Sequence, residues 1–311
     1  MYQTQLLDPR ENRMLFDESN RRDGVTSIEG RSLDRAASVE AITIQTPQLV
    51  KAVELITTLI QRSGVLCDPG GLRIIGAPGA GKTLIRDLMI ANYPRSVGPD
   101  KQPIVPILSI EMMPAPTVSQ IALRMLKTLG DQFDNHRNSN ERTVILKEFI
   151  RRAGVLIIFI DEFQHTVEGG RNKSANTIAD WLKSLYDEVK IPIVFFGTPI
   201  STKLFQISEQ LASRIPGEYE LRALRFDAEF ISILASFNQN MPIQIHAEDF
   251  KKLAKAICKS TVGSLRLLKK LLKEAVIIAS NREATSLIGA DFKLAYDRII
   301  CHGQNPFEEL V

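Results

Sequence analysis

The sequence has few cysteines and no long hydrophobic run. Its 311 residues include three cysteines, Cys67, Cys258 and Cys301, which are scattered along the chain without a C-x-x-C spacing. This pattern argues against a disulfide framework and a cysteine zinc site, and it favours a reducing, cytoplasmic compartment. No apolar run approaches the length needed to cross a bilayer, and the N-terminus lacks an apolar signal segment. We therefore expect no association with a membrane.

A large excess of either charge is also absent. The 39 Lys and Arg residues nearly balance the 36 Asp and Glu residues, which gives a formal net charge of +3 and an isoelectric point near 8.7. A mildly basic chain can bind nucleic acid, but this balance does not by itself argue for it. With 44% hydrophobic residues, the chain is long enough for two unequal domains, which fit best.

A glycine-rich motif lies within residues 72–85, between a short apolar run and an amphipathic segment. The order of strand, loop and helix is the context in which G-x-x-x-x-G-K-[ST] binds nucleotide phosphates, and an ordinary glycine-rich turn is the weaker alternative. We expect Lys82 to contact the β and γ phosphates of ATP and the Thr83 hydroxyl to bind Mg²⁺. The predicted nucleotide-binding residues of this loop are Gly76, Ala77, Pro78, Gly79, Ala80, Gly81, Lys82, Thr83 and Leu84.

A pair of carboxylates follows the uniformly apolar run 155–160, which has the pattern of a strand buried on both faces of a parallel sheet. At the carboxyl end of such a strand, Asp161 is predicted to hold Mg²⁺, and Glu162 to orient and polarise the attacking water. A helix N-cap with a solvated neighbour is the alternative. The phosphate loop upstream favours the catalytic interpretation.

Three later residues are candidates for sensing or completing the nucleotide site. Thr198 follows the strand predicted over 191–196, where a polar side chain would lie near the γ-phosphate; an N-cap threonine is the alternative. Arg214 leaves a helix and could enter a neighbouring subunit's site as an arginine finger, or lie on the surface. Arg266 begins a C-terminal helix and could contact the γ-phosphate, or form a solvated salt bridge.

The chain divides into four predicted segments. Residues 1–45 are dense in mixed charge and are expected to form a flexible arm, either mobile or ordered by a partner. Residues 46–225 alternate strands and helices, as in an α/β ATPase domain, and residues 226–300 contain helical patterns alone, as in a small lid domain. Residues 301–311 form a tail suited to partner contacts.

Five motifs together resemble the TniB/TnsC class of AAA+ transposition regulators. They are the phosphate loop 76–83, the box 160–165, and the short motifs 196–199, 210–214 and 263–266. The resemblance spans about residues 46–300 and implies an AAA+ P-loop NTPase with a parallel β-sheet core followed by a small all-helical lid domain. It also implies a bacterial ATPase that uses ATP and Mg²⁺, oligomerises on double-stranded DNA as a ring or helical filament, and disassembles on hydrolysis. The implied partners are a transposase and a target-selection protein such as a TniQ-type factor.

The same resemblance suggests where DNA would bind. In an oligomer, the loop ahead of residue 104 and the helix starting at Thr117 would face a central channel, so Lys101, Thr117 and Arg95 are the candidate phosphate contacts. An AAA+ helicase loader or replication initiator would share every nucleotide motif and remains the main alternative. A small-molecule kinase is disfavoured by the lid and Arg214, and a non-catalytic scaffold by the intact Glu162.

Overall fold

A computed structural model describes residues 28–131, 138–168, 172–300 and 303–310. The chain divides into two compact units, Gln45–Ala223 and a second unit formed by Met1–Ile44 with Leu224–Val311. We call the first the sheet unit and the second the helical unit. The first 27 residues of the predicted arm lie outside the described residues, as do residues 301, 302 and 311 of the predicted tail.

Helices account for most of the described chain. They are α1 (Ile28–Ala41), α2 (Pro47–Arg62), α3 (Lys82–Asn92), α4 (Val118–Thr128), α5 (Ser139–Arg152), α6 (Asn172–Val189), α7 (Thr202–Ile207), α8 (Glu209–Arg214), α9 (Ala228–Asn240), α10 (Ala247–Thr261), α11 (Leu265–Asn281) and α12 (Gly289–Ile299). Short 3₁₀ turns follow at Phe163–Thr166, Pro199–Ser201 and Glu308–Leu310. None of the helices in the described ranges is both long and apolar enough to cross a bilayer.

Five parallel strands form the central sheet of the sheet unit, in the order β4-β5-β6-β1-β7. The strands are β1 (Gly71–Gly76), β2 (Ser96–Val97), β3 (Pro103–Ile104), β4 (Ile107–Glu111), β5 (Ile157–Asp161), β6 (Ile193–Gly197) and β7 (Gly217–Leu221), of which β2 and β3 form a separate antiparallel hairpin. Both β5 and β6 are buried along their whole length. This burial explains why their sequences are continuously apolar rather than alternating.

The two faces of the sheet pack against different helices. On β5, Ile157 and Phe159 contribute to one core with α2 and α3, whereas Ile158 and Ile160 contribute to another with α4, α5 and α6. Successive side chains of a strand point to opposite faces, so one apolar run supplies both cores. The result is a three-layer arrangement in which the sheet lies between two layers of helices.

A proline divides one predicted strand into two. The sequence predicts a strand over 104–110, but the structure ends β3 at Ile104 and starts β4 at Ile107. Pro106 has no N–H to donate to a ladder, although its carbonyl still accepts the backbone N–H of Leu156 at 2.8 Å. The residues before the break pair with β2 instead, which creates the hairpin Ser96–Val97 and Pro103–Ile104.

The helical unit recruits segments that the sequence suggests lie outside it. Within the predicted flexible arm, α1 is an ordered helix whose Val39 is buried in the same core as α11. Within the predicted tail, Phe307 is fully buried and stacks on Phe292 with ring centroids 5.6 Å apart. Apolar burial therefore orders α1 and the turn that contains Phe307. The unit also contains a parallel two-strand ladder, β8 (Gln244–Ile245) with β9 (Ser286–Leu287), between its helices.

The turn between α10 and α11 requires glycine. Gly263 has φ +69°, and its carbonyl accepts the backbone N–H of Leu224 at 3.0 Å. A Cβ on Gly263 would lie 2.1 Å from the Leu224 carbonyl oxygen and 2.7 Å from its nitrogen. The close backbone approach and the left-handed conformation both exclude larger residues.

We expect Gly263→Ala to destabilise the helical unit by roughly 3 kcal/mol or more, because left-handed strain and overpacking add. Gly303→Ala is the matched control in the same unit, since Gly303 has φ +83° but its Cβ would meet nothing closer than the Tyr296 hydroxyl at 3.7 Å. In this control, left-handed strain alone should lower the free energy of unfolding by about 1–2 kcal/mol. Urea denaturation of both variants measures the difference, and equal losses would contradict the role of the close approach.

Candidate functional site

The phosphate-loop motif joins β1 to α3. Gly79 has φ +81° and Gly81, the N-cap of α3, has φ +107°, so both occupy backbone conformations that side chains disfavour. The first backbone N–H groups of a helix have no partner within it, and they carry the positive end of its dipole. The loop therefore has the backbone geometry that suits a phosphate group.

The Lys82 ammonium lies inside this loop. Its Nζ donates to the carbonyl oxygens of Gly76 at 2.6 Å and Ala77 at 3.1 Å, and the residue is 8% exposed. A buried ammonium held by loop carbonyls beside a helix N-terminus fits the phosphates of a nucleotide, which offer anionic oxygens in place of neutral ones. Thr83, the next residue of α3, is exposed, and its hydroxyl is a hard oxygen donor of the kind Mg²⁺ prefers.

Asp161 ends β5 as a buried carboxylate, 3% exposed. Its Oδ1 accepts the backbone N–H of Glu162 at 2.8 Å, and its Oδ2 accepts from Arg86 Nη1 at 2.6 Å. Burial raises the pKa of Asp161 above its usual value; the backbone hydrogen bond and Arg86 oppose that rise, while Glu162 and Glu111 add to it. A carboxylate oxygen is the kind of ligand that a divalent cation such as Mg²⁺ prefers.

Arg86 is a residue of the site that the sequence patterns did not indicate. It lies on α3 four residues after Lys82, and also pairs with Asp87 at 2.9 Å. Burial lowers the pKa of Arg86, but hydrogen bonds and charge attraction from Asp87 and Asp161 raise it by more. One helical turn separates residues i and i+4, so the helix that begins at the phosphate loop also delivers this guanidinium to Asp161.

A buried amide links the predicted catalytic glutamate to the predicted sensor. The Gln164 side chain donates from Nε2 to the Glu162 carboxylate, and its Oε1 accepts the backbone N–H of Thr198 at 3.2 Å. Gln164 is 5% exposed and lies in the 3₁₀ turn Phe163–Thr166, while Glu162 itself has φ +53°. In the sequence, the position of Gln164 two residues after Glu162 is the signal that could have identified it.

Strand register brings these groups to one edge of the sheet. Ile75 of β1 lies opposite Gly197 of β6, and Phe195 of β6 lies opposite Ile160 of β5. The strands are parallel, so the residues that follow them emerge together at the carboxyl edge, where ligands bind in open α/β sheets. The predicted residues that end or follow these three strands are Lys82, Thr83, Asp161, Glu162 and Thr198.

The two predicted arginines do not directly follow any of these three strands. Arg214 ends α8, and its Nε donates to Asp187 Oδ1 of α6 at 2.8 Å, with 36% of the Arg214 side chain exposed. The hydrogen bond from Arg214 holds the pKa of Asp187 below its usual value. Arg266 is exposed on the first turn of α11, in the helical unit.

The candidate DNA contacts lie near the small hairpin and the start of α4. Lys101 is exposed in the β2–β3 turn with φ +59°, and Arg95 is exposed immediately before β2. Thr117 is the N-cap of α4, where its hydroxyl accepts the backbone N–H of Gln120 at 3.3 Å and donates to that side chain at 3.0 Å. The Thr117 hydroxyl therefore already has a capping function.

Solved structures with the same architecture define the class of the fold. The chain is similar to the Aeropyrum pernix ORC2 protein in ADPNP–ADP complexes, at 16% identity and TM-score 0.58 over 92% of this chain and 71% of that one. It is also similar to Cdc6p from Pyrobaculum aerophilum, at 15% identity and TM-score 0.63 over 83% and 69%. A third is Aeropyrum pernix ORC1 in complex with DNA, at 17% identity and TM-score 0.57 over 82% and 66%. The fold is that of an AAA+ P-loop ATPase, as predicted.

The family is defined by sequence. The family model of the bacterial TniB protein matches residues 35–220, which is more than half of the chain. The chain therefore belongs to the TniB family, and the predicted resemblance is confirmed. The match begins within α1 and ends within β7, so it covers nearly all of the sheet unit. A comparison with curated proteins found no match.

We expect Arg86→Gln to lower the free energy of unfolding by roughly 2–3 kcal/mol at neutral pH, because Asp161 stays buried without its cation. Burial makes the folded pKa of Asp161 higher than the unfolded one, and losing Arg86 raises it further. Protonation of Asp161 at low pH therefore stabilises the folded variant more than the folded wild type. The difference in free energy of unfolding between the two proteins should narrow as the pH falls through the folded pKa of Asp161 in the variant.

Urea denaturation from about pH 7.5 to about pH 4.5 measures this narrowing. The matched control is the same substitution in an Asp161→Asn background, where the buried carboxylate is gone and Arg86 still pairs with the exposed Asp87, so the Arg86 effect should vary much less with pH. If Arg86→Gln lowers the free energy of unfolding by the same amount at every pH in the protein that retains Asp161, the role of the ion pair is contradicted.

Proposed function

We propose that this chain is an ATP-dependent DNA-binding transposition regulator, which oligomerises on duplex DNA and links target-site selection to a transposase. ATP hydrolysis then disassembles the oligomer. The observation that carries this function is the convergence of Lys82, Asp161, Glu162 and Thr198 at one sheet edge in a member of the TniB family. The further partners are a transposase and a target-selection protein such as a TniQ-type factor.

ATP binding follows from the loop that contains Lys82. The Lys82 ammonium would exchange the carbonyls of Gly76 and Ala77 for phosphate oxygens, which are stronger acceptors because they are charged. Thr83 and Asp161 are the residues that would hold Mg²⁺, which neutralises phosphate charge when bound. One oxygen of Asp161 accepts from Arg86 and the other from the backbone N–H of Glu162, so Mg²⁺ would displace one of these donors or use a second lone pair.

Hydrolysis follows from Glu162. Its carboxylate is the group that would orient water toward the γ-phosphate, and the Gln164 amide fixes it relative to the backbone of Thr198. Arg214 would stabilise transition-state charge in a neighbouring subunit. Exchange of its partner Asp187 for phosphate is feasible because the pair is partly exposed and therefore weak.

DNA binding is supported by the charge at the β2–β3 hairpin and by a structural neighbour. Lys101 and Arg95 are exposed there and are our candidate phosphate contacts, whereas Thr117 would contribute through the start of α4 rather than a free hydroxyl. The ORC1 structure with the same fold contains DNA. The likeness to ORC2 and Cdc6p also favours a second candidate, an AAA+ helicase loader or replication initiator.

We expect ATP to promote binding to random-sequence duplex DNA, measured by fluorescence anisotropy with and without nucleotide. Lys82→Ala should abolish the ATP dependence because the phosphates lose their cation. Glu162→Gln should bind ATP and duplex but hydrolyse at least about 100-fold more slowly, so that the DNA is not released. Nucleotide-independent binding would contradict this function, and a preference for single strands would favour the loader.

We expect Arg214→Ala to keep ATP binding but to lower the rate of ATP turnover. The loss should be about 10³-fold or more if Arg214 acts as an arginine finger. Arg222→Ala is the control, because Arg222 also pairs with a carboxylate but is highly exposed. Mixing Arg214→Ala with Lys82→Ala subunits should restore some activity, since each supplies what the other lacks. No recovery at high protein concentration would contradict an intersubunit site.

A further inference from the structure

A segment of the helical unit is basic without interruption. Residues 251–273 contain eight cationic side chains and no acidic one, although the chain as a whole has nearly equal numbers of each. The cations are Lys251, Lys252, Lys255, Lys259, Arg266, Lys269, Lys270 and Lys273. This segment includes most of α10, the turn at Gly263 and the first half of α11.

The lysines of α10 form one exposed face, which we call the α10 lysine face: Lys251, Lys252, Lys255 and Lys259. The opposite side of the helix is fixed by burial of Leu253, Ala254 and Ile257 in the core. Lys251, Lys255 and Lys259 are spaced i, i+4 and i+8, which stacks them along one line at about 6 Å per step. The rotation of α10 is thus set by its core, and the lysines point to solvent.

Several other charges of the helical unit form ion pairs. Arg298 binds Glu274 at 2.9 Å, Arg282 binds Asp291 at 2.7 Å, and Lys273 lies 3.4 Å from Glu40. Within the described ranges, no ion pair involves the α10 lysine face. Like charges at i and i+4 repel and slightly destabilise a helix. The face therefore has no ion-pair partner among the described residues, with Glu248 and Asp249 of the first turn as the nearest acidic residues in sequence, and a polyanion would supply one.

The chemistry beside the lysines distinguishes between polyanions. An amphipathic helix that inserts into a membrane needs apolar residues next to its cations, and a protein interface needs an apolar or aromatic centre. The α10 lysine face has no broad apolar surface beside it: the other large apolar residues of α10 are buried, Phe250 is half-buried against the core, and the exposed Val262 lies at the C-cap. Single-stranded nucleic acid is bound through aromatic stacking as well as charge. Cations alone suit the phosphate backbone of a duplex, which carries one charge per about 1.7 Å of helix axis.

We propose that the α10 lysine face binds the phosphate backbone of double-stranded DNA, as a contact separate from Lys101 and Arg95. This inference rests on the proposed DNA-binding function and extends it to the helical unit. Three lysines spanning about 12 Å match several phosphates of one groove edge. The contact is independent of base sequence, and repetition in an oligomer multiplies it along the duplex.

The test is a salt titration of duplex binding by the full chain with a non-hydrolysable ATP analogue. In the triple variant Lys251→Gln, Lys255→Gln, Lys259→Gln, the slope of log affinity against log salt should fall in magnitude by about 2–3, since each lost phosphate contact removes about 0.9. Replacing the same three lysines with Arg should preserve the slope. Lys255→Gln alone should lower it by about 0.9, which keeps the test valid if the triple variant is unstable.

Controls separate this contact from net charge and from the function as a whole. Lys51→Gln, Lys127→Gln, Lys190→Gln removes three exposed cations of the sheet unit and should leave the slope closer to wild type. Equal slopes for the two triple variants, with wild type binding DNA, would overturn this inference alone. Failure of the wild type to bind duplex with or without nucleotide would overturn both it and the proposed function. Displacement of the duplex by polyglutamate at equal charge concentration would assign the face to an acidic protein and overturn it too.

Discussion

Burial of a carboxylate at the end of a strand with no exposed face is the constraint on which the site depends. Asp161 terminates β5, whose every residue is buried, so its charge must be met by nearby donors. The backbone of Glu162 and the guanidinium of Arg86 meet it. Because Arg86 lies one turn along the helix that starts at the phosphate loop, the loop and the carboxylate are held in one arrangement.

At the same edge of the sheet, a neutral side chain connects two other residues of the candidate site. Gln164 can donate to Glu162 and accept from Thr198 at once because an amide carries both kinds of atom. A charged residue in its position would be compatible with only one of these neighbours. A single buried side chain therefore links the backbone of Thr198 to the Glu162 carboxylate.

Local patterns predicted the parts of the chain whose structure is determined locally. The apolar runs that became β5 and β6, the glycine-rich loop and the helix that starts at Thr117 all have short-range causes. Arg86 was missed because its partner lies 75 residues away, and no spacing rule connects them. The ordering of α1 and Phe307 was missed for the same reason, since both are ordered by burial in a core assembled from distant segments.

That shared core has a consequence for synthesis. Val39 and Phe307 are buried together with residues of α9 to α12, but the whole sheet unit, Gln45–Ala223, is translated between them. The sheet unit can fold as soon as it leaves the ribosome, whereas α1 must wait for α11 before its apolar side has a partner. The core of the helical unit is therefore completed only after the sheet unit has been translated, and contacts of such long sequence separation form slowly.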